Sequence, residues 1–269
     1  MPMQFGITSL VGHTLPFDAF CRLAARLGYS HVEPSLVRGY FEHFNAFQLA
    51  ADAERQAACK QIICAQELKC SALDAHGLFR QNPDETDYNI AYFRKALQLA
   101  PVFGTRLVIT SIPGGALPWN EMTARTRDLC QEAAEMGLTI AIEAEYGFAV
   151  GTPDELERFL DETGAPNLAV NYDPSHFVRA GFGVVETVRR FAKRIVHVHL
   201  KEYLPEAVPP TLFTGEHVGS PAWQLLDELA AIGYDGVASV ETLAELTLSA
   251  EAVASTAWKA IRKWQEKHV

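Results

Sequence analysis

No two cysteines in this chain are spaced as CxxC, and the five present (Cys21, Cys59, Cys64, Cys70, Cys130) are scattered and odd in number. That pattern argues against a zinc ribbon, a thioredoxin-like pair and a disulfide scaffold, and it points to reduced thiols, most of them buried as small hydrophobes. No uninterrupted apolar run approaches the roughly 18 residues of a membrane-spanning helix. The opening residues, MPMQFGITS, form neither a basic region nor an apolar one. A cytoplasmic protein with no membrane partner is therefore expected. Dinucleotide and nucleoside-triphosphate sites lose their main support, because no GxGxxG follows the first strand pattern and no GxxxxGKS/T occurs. Positive charge is also short. With 23 Lys+Arg against 33 Asp+Glu the formal net charge is -10, a field that repels phosphate backbones, so no nucleic acid partner is expected.

No Pro/Gly/Ser-rich linker or charge block divides the 269 residues. One phrase recurs instead: an amphipathic helix ends near a glycine, and a short β-branched run follows that ends in a polar or charged residue. It is read in LAARLGYSHVE (Leu23 to Glu33), LAPVFGTRLVITS (Leu99 to Ser111), AAEMGLTIAIE (Ala133 to Glu143) and LAAIGYDGVASVE (Leu229 to Glu241). The glycine suits the left-handed position after a helix, and the Val/Ile-rich runs suit strands buried on both faces. The predicted strands are 4–9, 31–34, 70–75, 106–111, 139–143, 168–172, 195–199 and 237–241. Helical patterns between them include 17–27, 85–103, 121–136, 153–162 and 221–232, and 250–266 closes the chain. Eight strands alternating with eight helices over this length predict a single (β/α)8 TIM barrel domain spanning 1–269, in preference to a doubly wound open sheet.

In such a barrel the functional residues gather at the C-terminal strand ends. Glu33, His76, Glu143, Asp173, His199 and Glu241 each fall at the end of, or just after, a predicted strand. Any one of them alone would serve equally as a strand-end ion pair. Together, Glu143, Asp173, His199 and Glu241, from the fifth to the eighth predicted strands, offer three carboxylates and an imidazole, a set suited to one divalent cation. Mixed oxygen and nitrogen ligation admits Mn, Mg, Co, Fe(II) or Zn without choosing among them.

The strings TIAIEAEYG, VNYDPSH, IVHVHLKE and GYDGVASVET, with GITSL at the first strand, resemble the strand signatures of the xylose-isomerase-like TIM barrels. That superfamily of small sugar isomerases and epimerases includes inosose isomerase, inosose dehydratase, hydroxypyruvate isomerase and the ketose 3-epimerases. The resemblance implies a metal held by Glu143, Asp173, His199 and Glu241. Within the motifs, Glu145 is expected farther into the loop, as an ion pair or hydrogen-bond support. His197, one pleat below His199, is expected to be a hydrogen-bonded core histidine. His176 is expected to face substrate or the metal ligands, and Lys201 to hold a substrate oxygen or to pair with Glu202. His76 and Glu33 are expected across the barrel mouth from the metal, where either is a substrate contact or, equally, a helix cap or ion pair. Tyr146, Phe148 and Phe177 are candidates for the pocket wall. The aromatic loop RGYFEHFNAF (Arg38 to Phe47) is either a lid, buried packing or a dimer contact, so a homo-oligomer is left open.

The implied activity is a metal-dependent isomerase or epimerase that moves protons through an enediolate, with Glu143 and Glu241 as the catalytic acid and base. Two departures qualify it. Pro205 and Ala149 stand near positions where ketose 3-epimerases carry an Arg and a Glu. TSIPGG (Thr110 to Gly115) and GEH (Gly215 to His217) lack the His and Asp that an apurinic endonuclease would need. The loops after the last two strands carry Lys201 against Glu202, Glu206, Glu216 and Glu245, so the substrate is expected to be a small unphosphorylated sugar, keto-polyol or hydroxy-keto acid. A metal-dependent lyase of the inosose dehydratase type, or a non-catalytic sugar-binding subunit, are the alternatives.

Overall fold

The computed structural model describes residues 3–39, 42–79, 82–115, 117–203, 221–242 and 248–268. Within them, β1 (Gln4–Thr8), β2 (His31–Glu33), β3 (Lys69–Cys70), β4 (Leu73–Asp74), β5 (Leu107–Ser111), β6 (Thr139–Glu143), β7 (Leu168–Tyr172), β8 (Ile195–Leu200) and β9 (Val237–Val240) form one parallel sheet in the order β3-β2-β1-β9-β8-β7-β6-β5-β4. The helices are α1 (Phe17–Leu27), α2 (Ala46–Ala50), α3 (Ala53–Ala65), α4 (Thr86–Phe103), α5 (Trp119–Glu135), α6 (Pro153–Thr163), α7 (Pro174–Arg179), α8 (Val184–Phe191), α9 (Pro221–Ala231) and α10 (Ala250–His268). This is the TIM barrel that the alternating pattern predicts.

The third predicted strand, 70–75, is corrected: it is two short strands, β3 pairing with β2 and β4 pairing with β5. Between them the Thr105 hydroxyl donates to the Ser71 carbonyl at 2.8 Å, so this carbonyl is engaged by a side chain where the ladder breaks. The two ends of the sheet are thus halves of one stretch of chain. The ring is drawn shut by Leu36 N–H donating to the Asp74 carbonyl (2.7 Å) and Asp74 N–H donating to the Pro34 carbonyl (3.1 Å).

The helix-to-strand joints behave as their glycines foretell. Gly28 takes φ 106 and donates its N–H to the carbonyls of Ala24 and Ala25, closing α1 with a backbone that a side chain would strain. Gly104, Gly137 and Gly233 at the other three joints also have positive φ. Strand residues alternate between two environments. Val108, Ile140, Ile142, Val170, Val198 and Val240 face the helices in the main core, whereas Ala72, Ile109 and Ala141 form a separate small apolar cluster inside the barrel. Above that floor the inward side chains turn polar. Four of the cysteines are buried, and Cys64 is exposed.

Candidate metal centre

The period of two along a strand decides which side chains enter the barrel mouth. From the inward Ala141, two residues on is Glu143; from the inward Asn171, two on is Asp173; from His197, His199; from Ser239, Glu241. Among the described residues, one ligand atom from each of Glu143, Asp173, His199 and Glu241 lies within 4.8 Å of the others, and all four side chains are buried. Donors bound to one ion at roughly 2.0 to 2.4 Å stand at most about 4.8 Å apart, so this donor set fits a single divalent cation. Three carboxylates brought together out of water also demand positive charge nearby.

Local structure prepares each group. Asp173 is the N-cap of α7, where its Oδ1 accepts from Ser175 N–H at 2.7 Å and its Oδ2 is left facing the cluster. His199 stands between two carboxylates, with Nδ1 2.7 Å from Glu143 Oε2 and Nε2 2.8 Å from Glu33 Oε1. The Asn171 amide donates to Glu143 Oε2 and lies 3.1 Å from His199 Nδ1. Lys201 reaches Asp173 Oδ2 at 2.8 Å and also contacts Glu241. These partners were not among those expected for Lys201, and they make it an internal counter-charge to the acidic cluster.

The position expected for His76 and Glu33 is corrected. His76 lies within the cluster's reach: Nε2 is 3.3 Å from Glu143 and 3.8 Å from Glu145, while Nδ1 is bonded to Asp74. Glu33 contacts both His199 and His197. The reason is scale, since an eight-stranded barrel is only wide enough for its inward side chains to fill it, and groups from opposing strands meet. His176 joins them, with Nε2 3.6 Å from both Glu143 and Asp173 and Nδ1 accepting from Tyr146 N–H at 3.2 Å. That acceptor role leaves Nε2 as the donor toward the site when the ring is neutral. His197 is the core histidine expected, held by Asn171 Oδ1 at 2.9 Å and Ser239 Oγ at 3.2 Å.

Phe177 is also corrected from pocket wall to core. It is buried against Tyr172 and Phe191, because the turn of α7 carries it toward the helical layer. Tyr146 is exposed, with the Arg179 guanidinium 4.5 Å over its ring, and Phe148 is half-buried. In the aromatic loop, Phe44 packs on Phe17 with ring centroids 4.8 Å apart, and Arg38 pairs with Glu85, so its described part is packing on the barrel flank. Tyr40, Phe41, Pro205, Glu206, Gly215 to His217 and Glu245 lie outside the described residues.

Burial alone would raise the Glu143 and Glu241 carboxyls. His199 and His76 outweigh it at Glu143, holding it well below the usual carboxylate range, and Lys201 with His199 lowers Glu241. Burial opposes charge on His199 and His76 too, but the surrounding carboxylates win and hold both well above the ordinary imidazole value. At Glu145 and His197 burial prevails, raising the first and lowering the second to about 4. The site is therefore a mutually compensated nest of ionised acids and cationic groups. Asn171 and Asp74 were missed from sequence, although each stands two residues before a residue that was singled out, Asp173 and His76.

Among curated proteins, an inosose dehydratase of Clostridium botulinum (strain Alaska E43 / Type E3) is 32% identical over 90 residues, which is 34% of this chain and 30% of that protein. The chain thus aligns with less than a third of that relative's length. The YfiH protein of Bacillus subtilis (strain 168) is 25% identical over 317 residues, covering 96% of this chain and 97% of that protein. Among solved structures, the probable 3-DHS dehydratase AsbF of Bacillus anthracis has a TM-score of 0.79 at 17% identity, with 97% of this chain and 99% of that one covered. An L-ribulose 3-epimerase has a TM-score of 0.75 at 18% identity, with 98% and 95% covered. Identities this low carry the fold and nothing finer. A model of the xylose isomerase-like TIM barrel matches residues 21–265, from α1 into α10 and through every strand but the first, and the chain belongs to that family.

Proposed function

We propose that this protein is a divalent-metal-dependent isomerase or epimerase of a small unphosphorylated sugar, keto-polyol or hydroxy-keto acid, working as one barrel domain. The observation that carries the reading is the meeting of Glu143, Asp173, His199 and Glu241 within 4.8 Å at the C-terminal mouth. These four would hold the ion, which when bound supplies Lewis acidity to a substrate carbonyl and its neighbouring hydroxyl.

The chain's own groups then divide the remaining work. Glu143 and Glu241 come from non-adjacent strands, β6 and the end of β9, and their lowered pKa values keep them ionised and able to accept a proton. One takes the proton alpha to the carbonyl; the other, once it has taken a proton from a substrate hydroxyl or from water, returns it to the adjacent carbon or to the opposite face. Lys201 and the Nε2 of His176 present donors to the same space, suited to orienting hydroxyl oxygens. His76 is braced by Asp74 and faces Glu143, where it offers a hydrogen-bond donor to the carboxylate or to a substrate oxygen.

A second reading is favoured by the inosose dehydratase relatives. The same proton abstraction followed by loss of the β-hydroxyl as water would make the protein a lyase. The test is a panel of keto-sugars, keto-inositols and hydroxypyruvate in deuterium oxide with added Mn, Mg or Co, followed by NMR and mass spectrometry. Metal-dependent deuterium uptake at the alpha carbon with retained composition is the isomerase outcome, and product lighter by one water is the lyase outcome. Equal exchange without metal refutes the metal dependence of both readings, and no exchange with any of the panel refutes both for those substrates and moves a non-catalytic sugar-binding role ahead. His199→Ala protein with undiminished metal content would refute the ligand set.

A further inference from the structure

Glu33 stands outside the proposed ligand set, yet it is fully buried at the end of β2. Its Oε1 lies 2.8 Å from His199 Nε2. Its Oε2 has no hydrogen-bond donor among the described residues. His197 Nε2 is 3.3 Å from that oxygen but is engaged by the Ser239 hydroxyl at 3.2 Å, while His197 Nδ1 meets Asn171 Oδ1 at 2.9 Å. An amide oxygen only accepts, so the His197 proton belongs on Nδ1, and its Nε2 is a lone pair with nothing to give Glu33. Among the described residues the carboxylate therefore has one donor to bind, and that donor is His199.

An ionised carboxylate only accepts, so its partner nitrogen must carry the hydrogen. When a cation takes the place of the proton between Nδ1 and Glu143, the ring is a neutral imidazole whose one hydrogen stays on Nε2, and Nδ1 offers its lone pair. Nδ1 is the nitrogen that faces the other carboxylates, 2.7 Å from Glu143 Oε2 and 3.4 Å from Glu241 Oε2. We infer that Glu33 is the positioning residue of this centre, fixing His199 as the Nε2–H tautomer and aiming Nδ1 at the cation. The inference rests on the metal-centre reading above. Partners of this kind set the ring's orientation and raise its basicity, and losing one typically costs about 10- to 100-fold in metal affinity. The sequence separates Glu33 and His199 by 166 residues, so only closure of the barrel brings them together.

The experiment is Mn(II) titration of wild type, Glu33→Gln and Glu33→Leu, followed by the electron paramagnetic resonance signal of free Mn(II). Wild type should bind one ion, Glu33→Leu should bind it about 10- to 100-fold more weakly, and Glu33→Gln should fall between, since its amide oxygen still accepts from Nε2–H. Equal affinity in all three overturns the inference while leaving the metal centre intact. Two ions in wild type, one of them lost in Glu33→Leu, also overturns it, by making Glu33 a ligand of a second site with His197 and His199. Absence of any wild-type site removes the metal reading and this inference with it. A readout that needs no change at Glu33 is 15N NMR of histidine-labelled wild type loaded with diamagnetic Mg(II) or Zn(II), with the His199 ring identified by its loss in His199→Asn. A proton on Nε2 upholds the assignment even if Glu33→Leu fails to fold, and a proton on Nδ1 refutes it.

Discussion

Replacing Lys201 with methionine keeps most of the side-chain volume and removes the one ammonium that faces both Asp173 Oδ2, at 2.8 Å, and Glu241. In metal-free protein this leaves a buried carboxylate without its counter-charge. Deleting one partner of a buried ion pair usually costs about 3 to 5 kcal/mol. Alternatively one of the stranded carboxylates takes up a proton, which at pH 7 against an ordinary carboxylate pKa near 4 costs about 4 kcal/mol at roughly 1.4 kcal/mol per unit. For a barrel of this size each kcal/mol moves the melting temperature by about 2 to 4 °C, so a drop of about 6 to 20 °C is expected in chelator at pH 7. The proton route also gives a sign with pH. The folded variant holds a proton that the unfolded chain releases above pH 4, so its stability relative to wild type falls as pH rises from about 4 to 7, and the penalty at pH 5 should be only about 1 to 2 kcal/mol. A divalent ion supplies the missing charge, so Mn(II) should raise the melting temperature of the variant more than that of wild type. Thermal unfolding by circular dichroism in chelator and in Mn(II), at pH 5 and 7, measures all three. A variant within about 2 °C of wild type in chelator, or one that gains no more from Mn(II) than wild type does, would refute the view of Lys201 as the cluster's counter-charge.

Glu143→Gln and Glu241→Gln should each lower kcat by at least about 10²-fold, with one of them still washing the alpha proton into solvent; near-normal turnover in both with metal bound would rule out proton transfer by this pair. His31 is buried beside the Ser30 hydroxyl and near Lys69, and burial followed by that lysine's charge lowers it to about 4. The unfolded chain then binds the extra proton between about pH 6.5 and 4, so up to about 3 kcal/mol of stability is lost as pH falls through that window, and His31→Gln should flatten this part of the denaturation profile. Phe177→Ala should cost about 3 to 5 kcal/mol by urea unfolding, as a core residue does; a change under about 1 kcal/mol with weakened substrate binding would return it to the pocket wall.

Much of this protein was determined by the sequence alone, because the information involved is local. Helix ends at Gly28, Gly104, Gly137 and Gly233 follow from one residue's backbone freedom, and the ends of the β-branched runs place Glu143, Asp173, His199 and Glu241 at one mouth of the barrel. Contacts between strands remote in the chain carry no such local signature, and tertiary structure decided them. The register between β7 and β8 slips at Val170/Asn171, pairing Asn171 with His197 and leaving Val196 bulged and exposed. A bulge re-aims everything beyond it, and here it sets His197 beside Asn171, whose amide donates to Glu143. The placement of Glu33 and His76 against the ligands, the capture of Lys201 by Asp173 and Glu241, and the splitting of the third strand at Ser71 share that origin. Each depends on strand stagger and on the narrow interior of a closed barrel, where side chains from opposite walls must share one small volume.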